Sequence, residues 1–575
     1  MVTQNHVSRM TDSAANDSNL VLHKPLYGHT VRDCCFLAIT TILSSVFYIS
    51  RIGFYWDDWL VLKIFHFSHD QSVIGLTRSV FAEWPEMRSR PLQALQWAVL
   101  YPLFGQTPLG YHIVSTAALL AGVCMFYLVL RTLTQRRLLS LATAVLYGLL
   151  PHYSTDRIWY AIWAANLSMV FYFLSLYADL NQLSFRSWIW PWKVVASLSL
   201  TLSLLAYEPF MPFFLLNPVL VALKRWQLRR HGKKVLWSWA GTAVSYVTNP
   251  FLIIVLSKYK QGTSRRAPGG GAFGWWLVDN TWMGSIDLTF RAYGSRLPHI
   301  LSTIWNRYWS WSSFAIALAM VIVVAGYLMR TAITSGERLP RAYVFVLLIA
   351  AGTLIAGGSY SYLYSFYEVN TGVNNRVAIA AGATVAIAWV SIAGLLCRLL
   401  APAKSASHIF AVLVALLCGC GCLINNTVAS FWAEGSQTQR AILSDMKEHF
   451  SAPPPGSSIV LTGLCAWKGP GIVFEATWDA GSALALLYGD KTLRGEPLWP
   501  WAEAREHGIP SGRDTSDKTT LYSYSSLYLY DVRKKEAGRI TDAASASSYI
   551  AQAKQYNTAN GGCLTAGFGT GLPIW

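Results

Sequence analysis

The sequence predicts an all-α polytopic membrane protein with a small soluble α/β or α+β domain at its carboxyl end. Of the 575 residues, 53% are hydrophobic and only 13% are charged, and the mean hydropathy is +0.34. This composition excludes an ordinary soluble enzyme. Two further observations complete the prediction: a succession of long apolar runs, and a more polar tail after the last run.

The apolar runs predict about eleven transmembrane helices, because roughly 20 apolar residues cross about 30 Å of hydrocarbon as a helix. The runs near 137 and 209 are the shortest and therefore the weakest. The runs cover 33–52, 109–130, 137–151, 158–178, 192–207, 209–223, 235–257, 311–329, 342–360, 377–397 and 406–428.

The chain divides into three regions. Residues 1–30 are polar and lack the apolar core of a signal peptide, so they predict a disordered cytoplasmic leader. Residues 31–428 form the transmembrane body, and residues 429–575 form the exported domain. Within the body, the stretch Arg265–Gly271 predicts a flexible segment, either a mobile lid or a plain solvated loop.

The tail has its own secondary-structure pattern. Ser457–Leu461 and Leu527–Tyr530 predict strands, and residues 543–556 predict a helix. Cys465 and Cys563 are the only cysteines of the tail. If the tail is exported to an oxidising compartment, these two cysteines can form a disulfide with each other.

Basic residues predict the orientation, because short loops rich in Lys and Arg stay cytoplasmic. Arg131, Arg136 and Arg137 lie in one such loop, which places the amino terminus inside and the tail outside. The basic loop 258–310 is the exception. We expect the protein to lie in a bacterial inner membrane. Its net charge of +17 should contact anionic lipid, and we expect no nucleic-acid partner.

Asp57 and Asp58 follow the first apolar run directly, in the sequence Tyr55-Trp56-Asp57-Asp58-Trp59. A carboxylate that faces lipid costs several kcal/mol, so this pair should line water or a reaction site. A carboxylate at the membrane surface can act as a general base. The alternative is that the pair caps a juxtamembrane helix.

Several short motifs follow the acidic pair in a recurring layout: an Arg-Pro-Leu stretch, a "Phe-Gly-x-x-Pro-x-x-x-His" start to the next span, and polar residues at later outer helix ends. They are Arg90-Pro91-Leu92, Phe104 to His112, Pro151-His152, Tyr207-Glu208-Pro209 and Asn374-Asn375-Arg376. This layout resembles the GT-C superfamily of membrane glycosyltransferases. The resemblance implies transfer of a sugar from a polyprenyl-phosphate carrier to a glycan, lipid or protein acceptor on the exported side.

The same motifs assign candidate roles. Asp57 or Asp58 would be the base, and Asp57 is favoured because the first acid is often the base in similar proteins. Arg90 and Arg376 would hold the departing lipid phosphate, although Arg376 could instead only snorkel to headgroups. Glu208, His112 and Asp156 would line the substrate pocket, although each has a purely structural alternative.

We expect no metal and no other cofactor, because a monophosphate donor can be neutralised by arginine. The alternative is a divalent cation at His66, His69 and Asp70 together with Asp57 or Asp58. The aromatic run Trp305, Tyr308, Trp309 and Trp311 predicts a membrane-interface belt, or else a face for sugar stacking.

Two other functions stay open. A transporter or flippase of a lipid-linked saccharide would show internal repeats with broken helices, and the sequence shows no repeat. A lipid-linked polysaccharide polymerase or ligase would favour arginine-rich outer loops, and the basic loop 258–310 keeps that alternative open.

Overall fold

The structure is a computed structural model that describes residues 24–181, 189–230, 238–260, 272–363, 371–512, 521–561 and 563–564. It is mostly helical, with a small sheet region in the tail. The predicted flexible segment Arg265–Gly271 lies outside the described residues.

The described part of the body is built from helices. In chain order they are α1 Lys24–Leu43, α2 Val46–Ile49, α3 Asp57–His66, α4 Val73–Glu83, α5 Pro91–Phe104, α6 Pro108–Thr134, α7 Arg137–Leu149, α8 Trp163–Asn181, α9 Ile189–Ala206, α10 Leu216–Arg230, α11 Ser238–Lys260, α12 Ala272–Ser285, α13 Leu297–Arg307, α14 Trp311–Ser335, α15 Ala342–Leu363, α16 Ile379–Leu400 and α17 Ala406–His449. Short 3-10 helices occupy Pro85–Ser89, Pro151–Arg157, Tyr160–Ile162, Met211–Leu215 and Val373–Val377, and a π-helix occupies Ile286–Ser295.

Six helices in the described residues are long and apolar enough to cross a membrane, whereas the sequence predicts about eleven spans. Three more apolar helices are shorter, and the predicted count is therefore not confirmed. The six are Pro108–Thr134, Tyr160–Asn181, Trp311–Ser335, Ala342–Ser359, Ile379–Leu400 and Ala406–His449, and the shorter three are Arg137–Leu149, Trp190–Ala206 and Tyr246–Val255.

The two remaining predicted runs are interrupted. The run 33–52 turns between α1 and α2, where the Ser44 hydroxyl donates to the Thr41 carbonyl at 2.6 Å. The run 209–223 begins as the 3-10 helix Met211–Leu215. Pro212 lies in the first turn of that helix, and a proline has no N–H for an α-helical ladder.

Two predicted boundaries also differ from the structure. Helix α1 begins at Lys24, inside the predicted disordered leader, and Pro25 in its first turn suits a helix start. The described part of the basic loop 258–310 is largely helical. There α12 approaches α15 so closely that a Cβ at Gly357 would lie 2.2 Å from the Thr281 carbonyl oxygen.

Arg137, predicted in a cytoplasmic loop, is buried at the end of the body away from α3. Its guanidinium donates to both oxygens of Asp33 at 2.7 and 2.8 Å. The Tyr127 and Tyr327 hydroxyls donate to the same carboxylate. This network joins α1, α6, α7 and α14, and it satisfies a charge pair that would otherwise be costly to bury.

The tail contains a four-stranded sheet in the order β4-β1-β7-β8. Strand β1 is parallel to β4 and β7, and β8 is antiparallel to β7. The elements are β1 Ser458–Thr462, β2 Trp467–Lys468, β3 Gly471–Ile472, α18 Thr477–Tyr488, β4 Arg494–Pro497, β5 Gly508–Pro510, β6 Leu521–Ser523, β7 Leu527–Asp531, β8 Glu536–Arg539 and α19 Ala543–Ala559. Strands β1 and β7 and helix α19 match the predicted elements, and the predicted disulfide Cys465–Cys563 is confirmed.

Helix α17 is the physical link between body and tail. It runs without a break for 44 residues, which corresponds to about 66 Å at 1.5 Å per residue. The Tyr55 hydroxyl donates to the Trp432 carbonyl at 2.6 Å, and the Gln439 side chain donates to the Val473 carbonyl at 2.6 Å. The tail is thus held against the segment that leads to Asp57.

Candidate active site

The acidic pair lies at the amino end of α3, where the helix dipole favours carboxylates. The chain reaches this position through an unusual turn, because Trp56 has a φ of 50°, a conformation that is rare and strained for a bulky residue. The Asp58 carboxylate accepts the backbone N–H of Tyr55 at 2.9 Å and therefore bridges this turn.

Asp58 has no exposed surface. Its second oxygen accepts the backbone N–H of Ala161 at 2.7 Å, so each carboxylate oxygen already has a buried backbone donor. Burial raises the pKa of Asp58, and the N–H groups of Tyr55 and Ala161 lower it. In this geometry Asp58 ties α3 to the segment Tyr160–Ile162 and fixes the turn before Asp57.

Asp57 has the opposite surroundings. It is partly exposed, and its neighbours are the side chains of Arg376, Arg90 and Trp478. Burial raises the pKa of Asp57 to about 6, while Arg376, Arg90 and then the Trp478 side chain lower it. A carboxylate with a pKa near neutrality beside two guanidinium groups suits a general base.

Arg376 is held in the 3-10 helix Val373–Val377, and its Nη1 donates to the Val373 carbonyl at 2.7 Å. The guanidinium lies 5.9 Å from the Trp159 ring centre, and the Trp159 ring lies 5.3 Å from the Trp56 ring. Arg376 therefore lies beside an aromatic pair that includes Trp56, the residue directly before Asp57.

Asp156 is a second carboxylate that interacts electrostatically with Arg376. Burial raises the pKa of Asp156, and Arg376 and then Arg157 lower it. Among the described residues, neither carboxylate oxygen of Asp156 has a hydrogen-bond partner. The Asn375 amide donates to the Ser154 hydroxyl at 2.8 Å, which keeps the Arg376 and Asp156 segments together.

Arg90 and Glu208 form a bidentate ion pair. Arg90 Nη2 lies 2.5 Å from Glu208 Oε1, and Nε lies 3.1 Å from Oε2. The Arg90 guanidinium also lies 4.3 Å from the Tyr207 ring centre. The structure thus brings together two residues that the sequence suggested separately, and Glu208 reduces the net charge that Arg90 presents.

His112 is almost completely buried. It is 2% exposed, and its Nε2 lies 3.0 Å from the Gly53 carbonyl oxygen. The ring is packed beneath the segment that precedes Asp57, because an amphipathic imidazole can satisfy one buried carbonyl there. This contact supports the segment that precedes Asp57, and the placement of His112 in a substrate pocket stays a prediction.

The tail contributes Trp478, which the sequence did not suggest. Helix α18 packs on α3, and the Trp478 side chain interacts with Asp57 while its ring lies 5.7 Å from Trp56. Asp479 accepts the backbone N–H groups of Glu475 and Ala476 at 2.8 and 2.9 Å and fixes the start of α18. An acid three residues into an apolar helix is a capping signal, but it does not reveal which distant helix lies opposite.

Burial raises the pKa of Asp479 to about 7, and the nearby Asp57 carboxylate adds to this increase. Glu496 has a pKa near 7 for the same main reason, and it accepts from the Gly512 N–H at 3.0 Å. Asp479 and Glu496 are therefore two neighbouring buried acids of the tail, and Asp479 lies close to Asp57.

His66, His69 and Asp70 do not come together as a metal site. Asp70 accepts the backbone N–H of Ser72 at 2.9 Å, and Asp58 is occupied by backbone donors. In the described part of the chain, three metal-ligand side chains gather only at Asp445, Glu448 and His449, which lie near the end of α17.

Comparisons with known proteins add little to this geometry. No protein-family model matches the chain, and no curated protein matches it by sequence. Two crystal structures of ArnT from Cupriavidus metallidurans are weakly similar. The structure bound to undecaprenyl phosphate has 14% identity and a TM-score of 0.29, covering 80% of this chain and 84% of ArnT. The apo structure has 13% identity and a TM-score of 0.30, covering 79% and 84%. Similarity this low carries no argument about function.

Proposed function

We propose that this chain is a GT-C type membrane glycosyltransferase that transfers one sugar from a polyprenyl-phosphate carrier to an acceptor on the tail side of a bacterial inner membrane. The observation that supports this most is the position of Asp57, a partly exposed carboxylate beside Arg376 and Arg90. A base next to fixed cations matches the needs of transfer from a lipid phosphate.

The reaction begins when Asp57 accepts the proton of an acceptor hydroxyl. The acceptor oxygen forms a bond to the anomeric carbon of the sugar, and the bond between that carbon and the phosphate oxygen breaks. The electron pair of the broken bond leaves with the polyprenyl phosphate. Arg376 stabilises the negative charge that develops there, because a preorganised guanidinium needs no rearrangement during the step.

Arg90 is the second arginine that can bind the donor phosphate in this proposal. Its guanidinium is paired with Glu208, so it can hold the donor phosphate only by sharing its donors between two anions. Arginine has five N–H donors, which is enough for both partners. Asp156 also interacts electrostatically with Arg376, and it keeps the guanidinium charged.

The test is sugar transfer by purified protein in lipid nanodiscs, with a panel of polyprenyl-phosphate sugars. We expect release of free polyprenyl phosphate from at least one donor by the wild type and none by Asp57→Asn. Glu506→Gln is the matched control, because Glu506 is an exposed acid of the tail outside the site.

A parallel assay in sealed proteoliposomes separates the alternative function. If the labelled donor crosses the bilayer intact, with no release of polyprenyl phosphate from any donor, the chain is a transporter and the proposal is wrong.

A further inference from the structure

A cavity of about 520 Å³ lies beside α17 where this helix leaves the membrane body. Its walls come from the segment after α2, from the junction of α13 and α14, and from α17 itself. The lining residues include none of the Asp57 neighbours described above. This cavity is therefore separate from the candidate active site.

Two arginines line the cavity from different walls. Arg51 follows α2 and Arg307 ends α13, and both are exposed. Among the described residues, neither guanidinium has a hydrogen bond or an ion pair. Glu434 is the acid in the lining, so the cavity has a net positive charge. Two unpaired guanidinium groups that converge on one cavity favour an anionic ligand with several oxygens, such as a phosphate.

The remaining lining suits a headgroup at a membrane surface. Ser310, Ser312 and Gln437 offer hydroxyl and amide groups, and Tyr308 and Trp309 offer aromatic faces. Tyrosine and tryptophan prefer the depth of the lipid headgroups. The cavity therefore combines polar and aromatic side chains, as expected for a site at the depth of the lipid headgroups.

An apolar path leads from the cavity along α14. The Trp309 ring contacts the Phe314 ring at a centroid distance of 4.9 Å. Phe314 is 37% exposed, and Leu318, one turn further along the helix, is 50% exposed. Residues four apart lie on the same helix face. An acyl or prenyl chain attached to a headgroup in the cavity could follow this face into the membrane.

We propose that this cavity binds the phosphate-bearing headgroup of a membrane lipid, with Arg51 and Arg307 on the phosphate and the lipid chain along α14. The shared chemistry is a phosphate on a long apolar chain, which a glycerophospholipid and a polyprenyl phosphate both offer. The inference is independent of the proposed sugar transfer, because it requires only lipid binding.

The test uses purified, delipidated full-length protein and native mass spectrometry. Three lipids are added separately: phosphatidylglycerol, undecaprenyl phosphate, and diacylglycerol, which lacks a phosphate. We expect the wild type to retain at least one phosphate lipid and to retain diacylglycerol poorly. Arg51→Gln combined with Arg307→Gln should weaken retention by about tenfold or more, because each charge-assisted hydrogen bond contributes about 1.5 kcal/mol or more.

The matched control is Arg330→Gln combined with Arg398→Gln, which removes two exposed arginines elsewhere in the body. A phosphate lipid that the Arg51 and Arg307 variant retains less well than the wild type is the lipid that the cavity holds. Undecaprenyl phosphate bound near Arg376 does not contribute to this difference in retention, because that site is intact in both proteins.

Ser312→Trp provides a second variant that keeps both charges and fills the cavity, in case the double variant does not fold. It should also lose the lipid. Equal retention by the wild type and a folded variant, or equal retention of diacylglycerol and the phosphate lipids, would show that the cavity has no such function.

Discussion

At the scale of single residues, the main result is that two adjacent carboxylates have different surroundings. Asp58 is buried and holds two backbone N–H groups, whereas Asp57 is partly exposed and faces Arg376, Arg90 and Trp478. Successive residues on a helix point about 100° apart. Asp58 therefore turns into the protein, while Asp57 turns toward Arg376 and Arg90.

Replacing each acid should separate the two roles. Asp57→Asn should abolish sugar transfer with little change in stability, because it removes proton acceptance and keeps the shape. Asp58→Ala should instead destabilise the fold by about 1 to 3 kcal/mol for each backbone N–H left unpaired. The measurements are transfer rate and apparent thermal midpoint. Normal turnover in Asp57→Asn, with loss of turnover in a stable Asp58→Asn, would make Asp58 the base instead.

The pH dependence should report the raised pKa of Asp57. The base works only when deprotonated, so kcat/KM should fall as the pH drops through about 6. An unperturbed aspartate would lose activity about two pH units lower, near its usual pKa of about 3.9. The measurement is kcat/KM for the wild type across this range. A profile that is flat between pH 5 and 7 would exclude Asp57 as the titrating base.

Arg376→Gln should reduce donor binding or slow departure of the lipid phosphate, by the roughly 1.5 to 3 kcal/mol of a charge-assisted hydrogen bond. Arg376→Lys should rescue only part of this loss, because lysine lacks the planar fork of arginine. Donor affinity and single-turnover rate are the measurements. If both variants match the wild type, Arg376 serves only as an anchor to lipid headgroups.

At the scale of elements, the tail helix α18 completes the site. Asp479 fixes the first turn of α18, and this turn places Trp478 against Asp57 and Trp56. The long helix α17 and its contact with Tyr55 hold the tail over this position. The tail is therefore part of the candidate site and not an appendage beside it.

Two substitutions of Trp478 should test this role. Trp478→Phe keeps an aromatic ring but removes the polar interaction through which the Trp478 side chain lowers the pKa of Asp57, so the acid limb of the kcat/KM profile should move to higher pH. Trp478→Ala should in addition reduce the rate. Trp501→Ala is the control, because Trp501 is an exposed tryptophan of the same domain. An unchanged pH profile in Trp478→Phe would leave Trp478 with a packing role alone.

At the scale of the whole molecule, the body supplies arginines and the tail supplies a cover, and no step of the proposed transfer needs a cation. Activity should therefore survive EDTA, because Arg376 and Arg90 can neutralise the phosphate of a monophosphate donor. The measurement is transfer in EDTA, followed by addition of magnesium or manganese. Loss of activity in EDTA and recovery with the cation would establish a metal-dependent mechanism.

The sequence by itself determined the class of the protein and suggested where its chemistry lies. Composition indicated a membrane protein, and six of the predicted runs correspond to helices of spanning length. The acidic pair, Arg90 and Arg376 could be identified because charged groups next to apolar runs need a reason to be there. The tail disulfide could be predicted because residues 429–575 contain only two cysteines.

Only the tertiary structure decided which residues meet. Local patterns give the helix on which a residue lies, but they do not give its neighbours across a packed interface. The structure pairs Arg90 with Glu208 over 118 positions of sequence, packs His112 under Gly53, and brings Trp478 to Asp57. These contacts depend on how long helices pack and on the continuous helix α17, and neither is encoded in any short segment.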